Sequence, residues 1–65
     1  MERGTVTLIE SAAIGLGTIE PAAAPGPVSF SIAVVEGRWD QLFVGRPVDF
    51  EREAGATIAT RVRPA

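Results

Sequence analysis

The chain has 65 residues, with six arginines, no lysine and eight acidic residues, which give a net charge of −2 at pH 7. This length bounds it to one domain over residues 1–65, and no apolar run approaches the ~20 residues that a membrane span needs. The absence of cysteine and histidine excludes disulfides, thiolate or imidazole metal sites and a histidine base.

Strand patterns dominate the first half of the chain. Val6 and Leu8 alternate with threonines, and Val28, Phe30 and Ile32 alternate with small residues. A period of two is typical of a strand with one buried face, so we expect Phe30 in the core. Between these segments lies a short apolar run whose two glycines permit tight curvature or close backbone approach. The three predicted strands are residues 3–9, 15–19 and 27–35.

Two more strands are predicted in the second half, over residues 47–53 and 57–62. In the first, Val48 and Phe50 face inward, and residues 51–53 form a solvated outer face. In the second, the period of two predicts an inward side for Ile58, Thr60 and Val62.

The connections between these strands carry turn-forming residues. Residues 21–27 hold three prolines and are predicted to form a loop, because proline cannot donate to a sheet ladder. Residues 36–42 lack strand periodicity and are predicted to form a loop with a short helical turn. Residues 54–56 are predicted to be a hairpin turn.

Five short strands in 65 residues predict an all-β fold that closes into a small barrel. Closure removes the exposed strand edges that would otherwise promote aggregation. An SH3-like barrel remains open as the alternative, because periodicity alone does not fix strand order.

Five blocks spread over nearly the whole chain carry a family resemblance. The most specific has the form Leu-x-x-Gly-x-x-Val-x-Phe-Glu, with complete spacing. The blocks are residues 4–6, 15–19, 28–31, 42–51 and 59–62. Together they resemble the cold-shock domain, whose fold is a five-stranded antiparallel Greek-key barrel of the OB type. This resemblance implies binding of single-stranded RNA or DNA through exposed aromatic rings.

The chain departs from the family at the positions that bind nucleic acid. Leu8 stands where the family has Trp, and Leu16 and Thr18 stand where its first RNA-binding motif has Phe. Threonines replace the lysines of the first strand, and the second motif keeps at most one aromatic, Phe30. Each stacked base contributes about 1–3 kcal/mol, so losing about four rings predicts an affinity lower by about a thousandfold or more.

The first functional hypothesis follows the resemblance. It describes a small cytoplasmic regulator or RNA chaperone that binds single-stranded nucleic acid weakly and without sequence preference. Trp39 and Phe30 would stack on bases, the backbone around 15–17 would contact the strand, and Arg38 and Arg61 would supply charge. In the alternative interpretation, Trp39 covers the barrel end, Phe30 belongs to the core, and the two arginines are ordinary solvated surface residues.

The second hypothesis is a barrel that binds protein in place of nucleic acid. Leu8, Ile14, Leu16 and Ile32 would form an aliphatic face that docks on a protein partner or on a second copy. The alternative is that these residues belong to the core. Neither hypothesis involves a metal, a cofactor or a membrane. Catalysis is not expected either, because no pair of a nucleophile and a base is evident.

Overall fold

The computed structural model describes residues 1–10, 15–23 and 25–65. Two 3-10 turns, Ile32–Val34 and Trp39–Gln41, lie between the third and fourth strands. The five strands are β1 (Glu2–Ile9), β2 (Leu16–Pro21), β3 (Val28–Ser31), β4 (Pro47–Glu51) and β5 (Arg61–Pro64). In the described ranges, no helix has the length and apolar character that crossing a membrane requires.

The strands form one antiparallel sheet in the order β3-β2-β1-β4-β5. Strands β1 to β3 are consecutive neighbours, and β4 returns to pair with the free side of β1. This order is a Greek key, which is the arrangement of the OB barrel and favours it over the SH3-like alternative. The all-β, five-stranded antiparallel barrel expected from the sequence is therefore confirmed.

The sheet curls so that its two outer strands approach each other. Ser29 in β3 forms a parallel bridge with Ile58, and Val35 forms one with Val62 in β5. The Ser29 amide donates to the Thr57 carbonyl at 2.8 Å. These contacts are the seam of the barrel, the line along which the two ends of the sheet meet.

The core fills the inside of this curled sheet. Its largest fully buried side chains include two phenylalanines, Phe30 and Phe50. The buried apolar residues come from all five strands and from two loops: Val6, Ile19, Val28, Phe30, Leu42, Val48, Phe50, Ala59 and Val62. The inward side predicted for Val48 and Phe50 is confirmed, as is the core position of Phe30.

A β-bulge in β1 changes which residues face outward. Val6 lies opposite Ile19, but Leu8 lies opposite Thr18, so Thr7 is an extra residue in β1. Because one added residue shifts the side-chain alternation, Leu8 turns outward and is 48% exposed. Leu8 therefore lies on the opposite side from Val6, and the alternative that places it in the core is wrong.

Two other strand predictions need correction. β3 ends at Ser31; Ile32 begins a 3-10 turn, in which period-two alternation no longer applies, and its side chain is exposed. β5 begins at Arg61, since residues 56–60 leave β4 and cross to β3. Ile58 and Thr60 are consequently exposed, contrary to the prediction of an inward side.

The loop predictions agree with the structure in most respects. Residues 36–42 contain the 3-10 turn Trp39–Gln41, as predicted. Residues 53–56 form a turn closed by the Ala56 amide and the Glu53 carbonyl at 2.9 Å, but the connection from β4 to β5 covers residues 52–60. Pro21 belongs to β2, so the proline-rich loop starts one residue later than predicted.

Candidate functional site: the outer face of β1, β2 and β3

The outer face of β1, β2 and β3 carries exposed aliphatic side chains. Leu8 is 48%, Leu16 43% and Ile32 48% exposed. Leu8 lies opposite Thr18, and Leu16 lies opposite Ser31. We call these four outward residues, Leu8, Leu16, Thr18 and Ile32, the aliphatic face.

A shallow groove of about 160 Å³ runs across this face. Its lining residues come from β1, β2 and β3 and from Glu10 after β1, and they include two hydroxyl residues, Thr18 and Ser29. The groove is lined by Leu8, Glu10, Leu16, Gly17, Thr18, Ser29 and Phe30. A groove with aliphatic walls and a few hydroxyls is suited to apolar side chains with hydrogen-bonding groups beside them.

On the inner side of the sheet, beneath the groove, Phe30 packs directly against Gly17, because Gly17 has no side chain. A Cβ on Gly17 would lie 2.4 Å from Phe30 Cζ and 2.7 Å from Phe30 Cε1. The Phe30 ring also packs against Trp39, with centroids 5.9 Å apart and planes tilted by 59°. The groove floor, the core and the loop of Trp39 therefore form one packed unit.

Ile32, in the 3-10 turn after β3, packs against a second glycine, Gly15, which precedes Leu16 in the chain. Gly15 has a φ of +66°, and a Cβ there would lie 2.7 Å from Ile32 Cγ2. The Ile32 amide donates to the Gly15 carbonyl at 2.7 Å. A side chain at residue 15 would be strained in its backbone and would displace Ile32.

Two carboxylates border the aliphatic face. Glu10 lines the groove, and its amide donates to the Leu16 carbonyl at 2.8 Å. Glu20 is exposed and shares the outward side of β2 with Leu16 and Thr18. Within the described ranges, neither glutamate forms a salt bridge.

One arginine, Arg3, lies on the outward side of β1, two residues from Thr5, which pairs with Glu20; the other five lie outside β1, β2 and β3, and most arginines are paired with carboxylates. The undescribed residues 11–14 and 24 carry no charge, so all six arginines belong to the described part of the chain. Five of them form salt bridges there: Arg3 with Asp49, Arg38 with Asp40, Arg52 with Glu2, Arg61 with Glu36 and Glu51, and Arg63 with Asp49. The groove lining contains no arginine. The outer face of β1 to β3 is therefore acidic at its borders.

The sixth arginine, Arg46, packs in the turn before β4. Its guanidinium lies 5.9 Å from the centre of the Phe43 ring, and Nη2 donates to the Ala65 carbonyl at 3.2 Å. Its Nε is buried without a hydrogen-bond partner in the described residues. Arg46 is thus held by packing and does not reach the groove lining.

The structure separates the residues that the sequence singled out. Leu8 and Leu16 are on the surface, so the alternative that places them in the core is wrong, and Thr18 lies half-buried between them. Phe30 is 1% exposed and has no free ring face to offer a base. Ile14 lies outside the described residues.

Trp39, Arg38 and Arg61 do not belong to the aliphatic face. Trp39 is half-buried against the core, as expected of a side chain that covers the barrel end. Arg38 binds Asp40 through two hydrogen bonds, of 2.8 and 3.2 Å. Arg61 lies between Glu36 at 2.8 Å and Glu51 at 3.3 Å. Both arginines are therefore already paired with neighbouring carboxylates.

Sequence reasoning assigned no role to three residues that the structure makes prominent. Glu20 could have been found, because it alternates with Leu16 and Thr18 along the same strand. Glu10 could not, since its position beside the groove follows from the bulge in β1. Phe43, which is 53% exposed, also gave no signal in the sequence.

The predicted outer face of residues 51–53 needs a partial correction. Glu51 and Glu53 are exposed, but the Arg52 side chain is only 16% exposed. Its guanidinium binds Glu2 at 2.9 and 3.1 Å and lies 5.8 Å from the centre of the Phe50 ring. Arg52 thus fastens the start of β1 to the end of β4.

Comparison with known proteins adds no family to this description. No family model matches the chain, and no curated protein matches it.

Proposed function

We propose that this barrel is a protein-interaction module and that the aliphatic face is its docking surface. The observation that carries the proposal is the exposure of Leu8, Leu16 and Ile32, at 43–48%, on a face bordered by glutamates. Exposed aliphatic groups around a groove are typical of protein-binding sites. Aliphatic side chains also lack the π face on which a base stacks.

The charges around this face disfavour nucleic acid as its ligand. A strand of phosphates laid along β2 would pass Glu10 and Glu20, and no arginine lines the groove. Phosphate binding depends on cations that release counterions, and the arginines on the rest of the surface are largely neutralised by partners. Repulsion would therefore add to the loss of stacking.

Single-stranded nucleic-acid binding is the second candidate, and Trp39 is the observation that favours it. Its ring is partly exposed, packs on Phe30 at the groove floor and follows Arg38 in the chain. The resemblance to the cold-shock domain supports the same activity. This candidate requires Arg38 to exchange Asp40 for a phosphate, which makes binding weak and strongly salt-dependent.

A titration followed by Trp39 fluorescence separates the two candidates. Single-stranded DNA and RNA oligomers are added at low salt and at physiological salt. A protein-interaction module gives no saturable quenching under either condition. Saturable quenching that weakens with salt, and that Leu16→Ser leaves unchanged, contradicts the first candidate and supports the second.

A peptide selection provides the positive test of docking. A phage library of random peptides is selected on the wild-type protein, and its clones are measured on two variants. Leu16→Ser removes an aliphatic group from the face, whereas Val44→Ser removes one that is 63% exposed in the turn before β4. We expect binding to wild type and Val44→Ser but loss of binding to Leu16→Ser. No enrichment on the wild type, or equal loss in both variants, would contradict the proposal.

A further inference from the structure

We infer that the occupant of the aliphatic face is a basic, apolar segment of another protein, in which Lys or Arg flank aliphatic or aromatic side chains. This inference rests on the proposed docking function and adds the chemistry of the partner. Three features of the described residues carry it: the position of the carboxylates, the charge of a second copy and the pairing of β3.

The two carboxylates lie near opposite ends of the apolar stretch. The Glu10 amide bonds to Leu16 at one end of β2, and Glu20 stands four residues further along the strand. A strand rises about 3.3 Å per residue, so these two positions are separated by about 13 Å along β2. A suitable partner would pack apolar groups in the groove and form an ion pair with each of the two glutamates.

A second copy of the chain matches this face poorly. A two-fold symmetric dimer places the same patch of each chain against the other. Pairing the aliphatic faces would therefore bring four carboxylates to the edge of one interface; the groove residues include no arginine, and Arg3, on the outward side of β1 near Glu20, is already bound to Asp49 at 2.6 Å. Like charges across an interface disfavour association, so the charges direct the face toward a basic partner.

The partner also docks through side chains and not as an added strand. The edge of β3 is already occupied at Ser29, whose amide donates to Thr57 and whose carbonyl accepts from the Ala59 amide, each at 2.8 Å. β2 is paired on both sides, with β1 and with β3. The groove with Glu10 in its lining, and Glu20 further along β2, thus remain as the recognition elements of this face.

The test uses the peptides selected on the wild-type protein. We expect them to be enriched in Lys or Arg next to apolar residues, relative to the unselected library. Their affinity is then measured for Glu10→Gln and Glu20→Gln, with Glu53→Gln as a control carboxylate remote from the face. Each substitution on the face should weaken binding about two- to fivefold, as expected for an exposed ion pair, and the control should not.

The outcomes separate this inference from the docking function on which it rests. Peptides that depend on Leu16 but show no basic enrichment, or that ignore both glutamate substitutions, overturn the inference and leave docking intact. A dimer that is seen by sedimentation and is lost in Leu16→Ser also overturns the inference and leaves docking intact, because a second copy is then the occupant. If no peptide is selected and the protein is a monomer that binds only oligonucleotides, both the docking function and this inference are overturned.

Discussion

The Gly17→Ala variant tests whether the groove floor is packed as tightly as the structure indicates. The new Cβ would lie 2.4 Å from Phe30 Cζ and 3.1 Å from the Leu8 carbonyl oxygen. Carbon atoms pack at about 3.5–4.0 Å, so the ring must move by more than about 1 Å. Phe30 is 1% exposed and also packs against Trp39, so the ring has little space to enter.

The expected cost is large relative to the stability of so small a domain. Overpacking a core costs about 1–3 kcal/mol, and we expect Gly17→Ala to lose about 2 kcal/mol. A domain of this length has about 3–10 kcal/mol of stability in total. Gly17 does not have a positive φ, so alanine brings no backbone strain of its own, and the loss reports the contact with Phe30.

Urea denaturation followed by far-UV circular dichroism measures this loss. The matched variants are Phe30→Leu, which shortens the facing side chain, and the double substitution. If the contact is the cause, the double variant is more stable than the sum of the two single effects by about 1 kcal/mol. A Gly17→Ala midpoint equal to that of wild type, or strictly additive effects, would refute the reasoning.

Three further variants test other parts of the structure. Leu16→Ser should change the free energy of unfolding by less than about 0.5 kcal/mol, because the side chain is exposed; a larger loss of the urea midpoint would place it in the core. Arg52→Ala should cost about 1 kcal/mol, through its lost ion pair and its packing over Phe50, and the matched Arg38→Ala should cost almost nothing. Phe30→Leu should shift the emission of Trp39 to longer wavelength, since the ring beside the indole is lost; an unchanged maximum would contradict their contact.

The strand pattern of the sequence predicted the fold because most inward positions follow a period of two. Val28 and Phe30, like Val48 and Phe50, are buried where the alternation places them. The number of strands and the barrel follow from five such segments. The sequence therefore predicts which side chains face inward where a strand is regularly paired, because such a strand turns every second side chain toward the core.

The errors occur where the chain departs from regular pairing. Thr7 adds one residue to β1, and nothing in its neighbours marks the bulge, so alternation alone would place Leu8 on the same side as Val6. Ile58 was predicted inward because the chain was assumed to return directly from β4, whereas it first crosses to β3. Both features depend on partners distant in sequence, and local periodicity contains no information about them.

The candidate site was predictable in part. The resemblance to the cold-shock domain placed Leu8 and Leu16 on the surface, which the structure confirms, although simple alternation placed Leu8 inside. It did not indicate the acidic border, because the carboxylates of Glu10 and Glu20 have meaning only beside an exposed apolar groove. The pairing of each arginine was likewise invisible, since residues such as Arg3 and Asp49 are 46 positions apart.

The seam of the barrel makes the molecule unevenly resistant to opening. Among the described residues, isolated bridges join β3 to residue 58 and residue 35 to β5, whereas continuous ladders join the strands within the sheet. Separating the seam breaks few hydrogen bonds, so the amides of Ser29, Glu36 and Ala59 should exchange with solvent deuterium before those inside the ladder of β1 and β2. A barrel opened in this way has two unpaired edges, and two such chains can close each other's gap by exchanging strands. Concentrated or warmed protein is thus expected to form exchanged dimers through the seam, with the groove of each barrel still open.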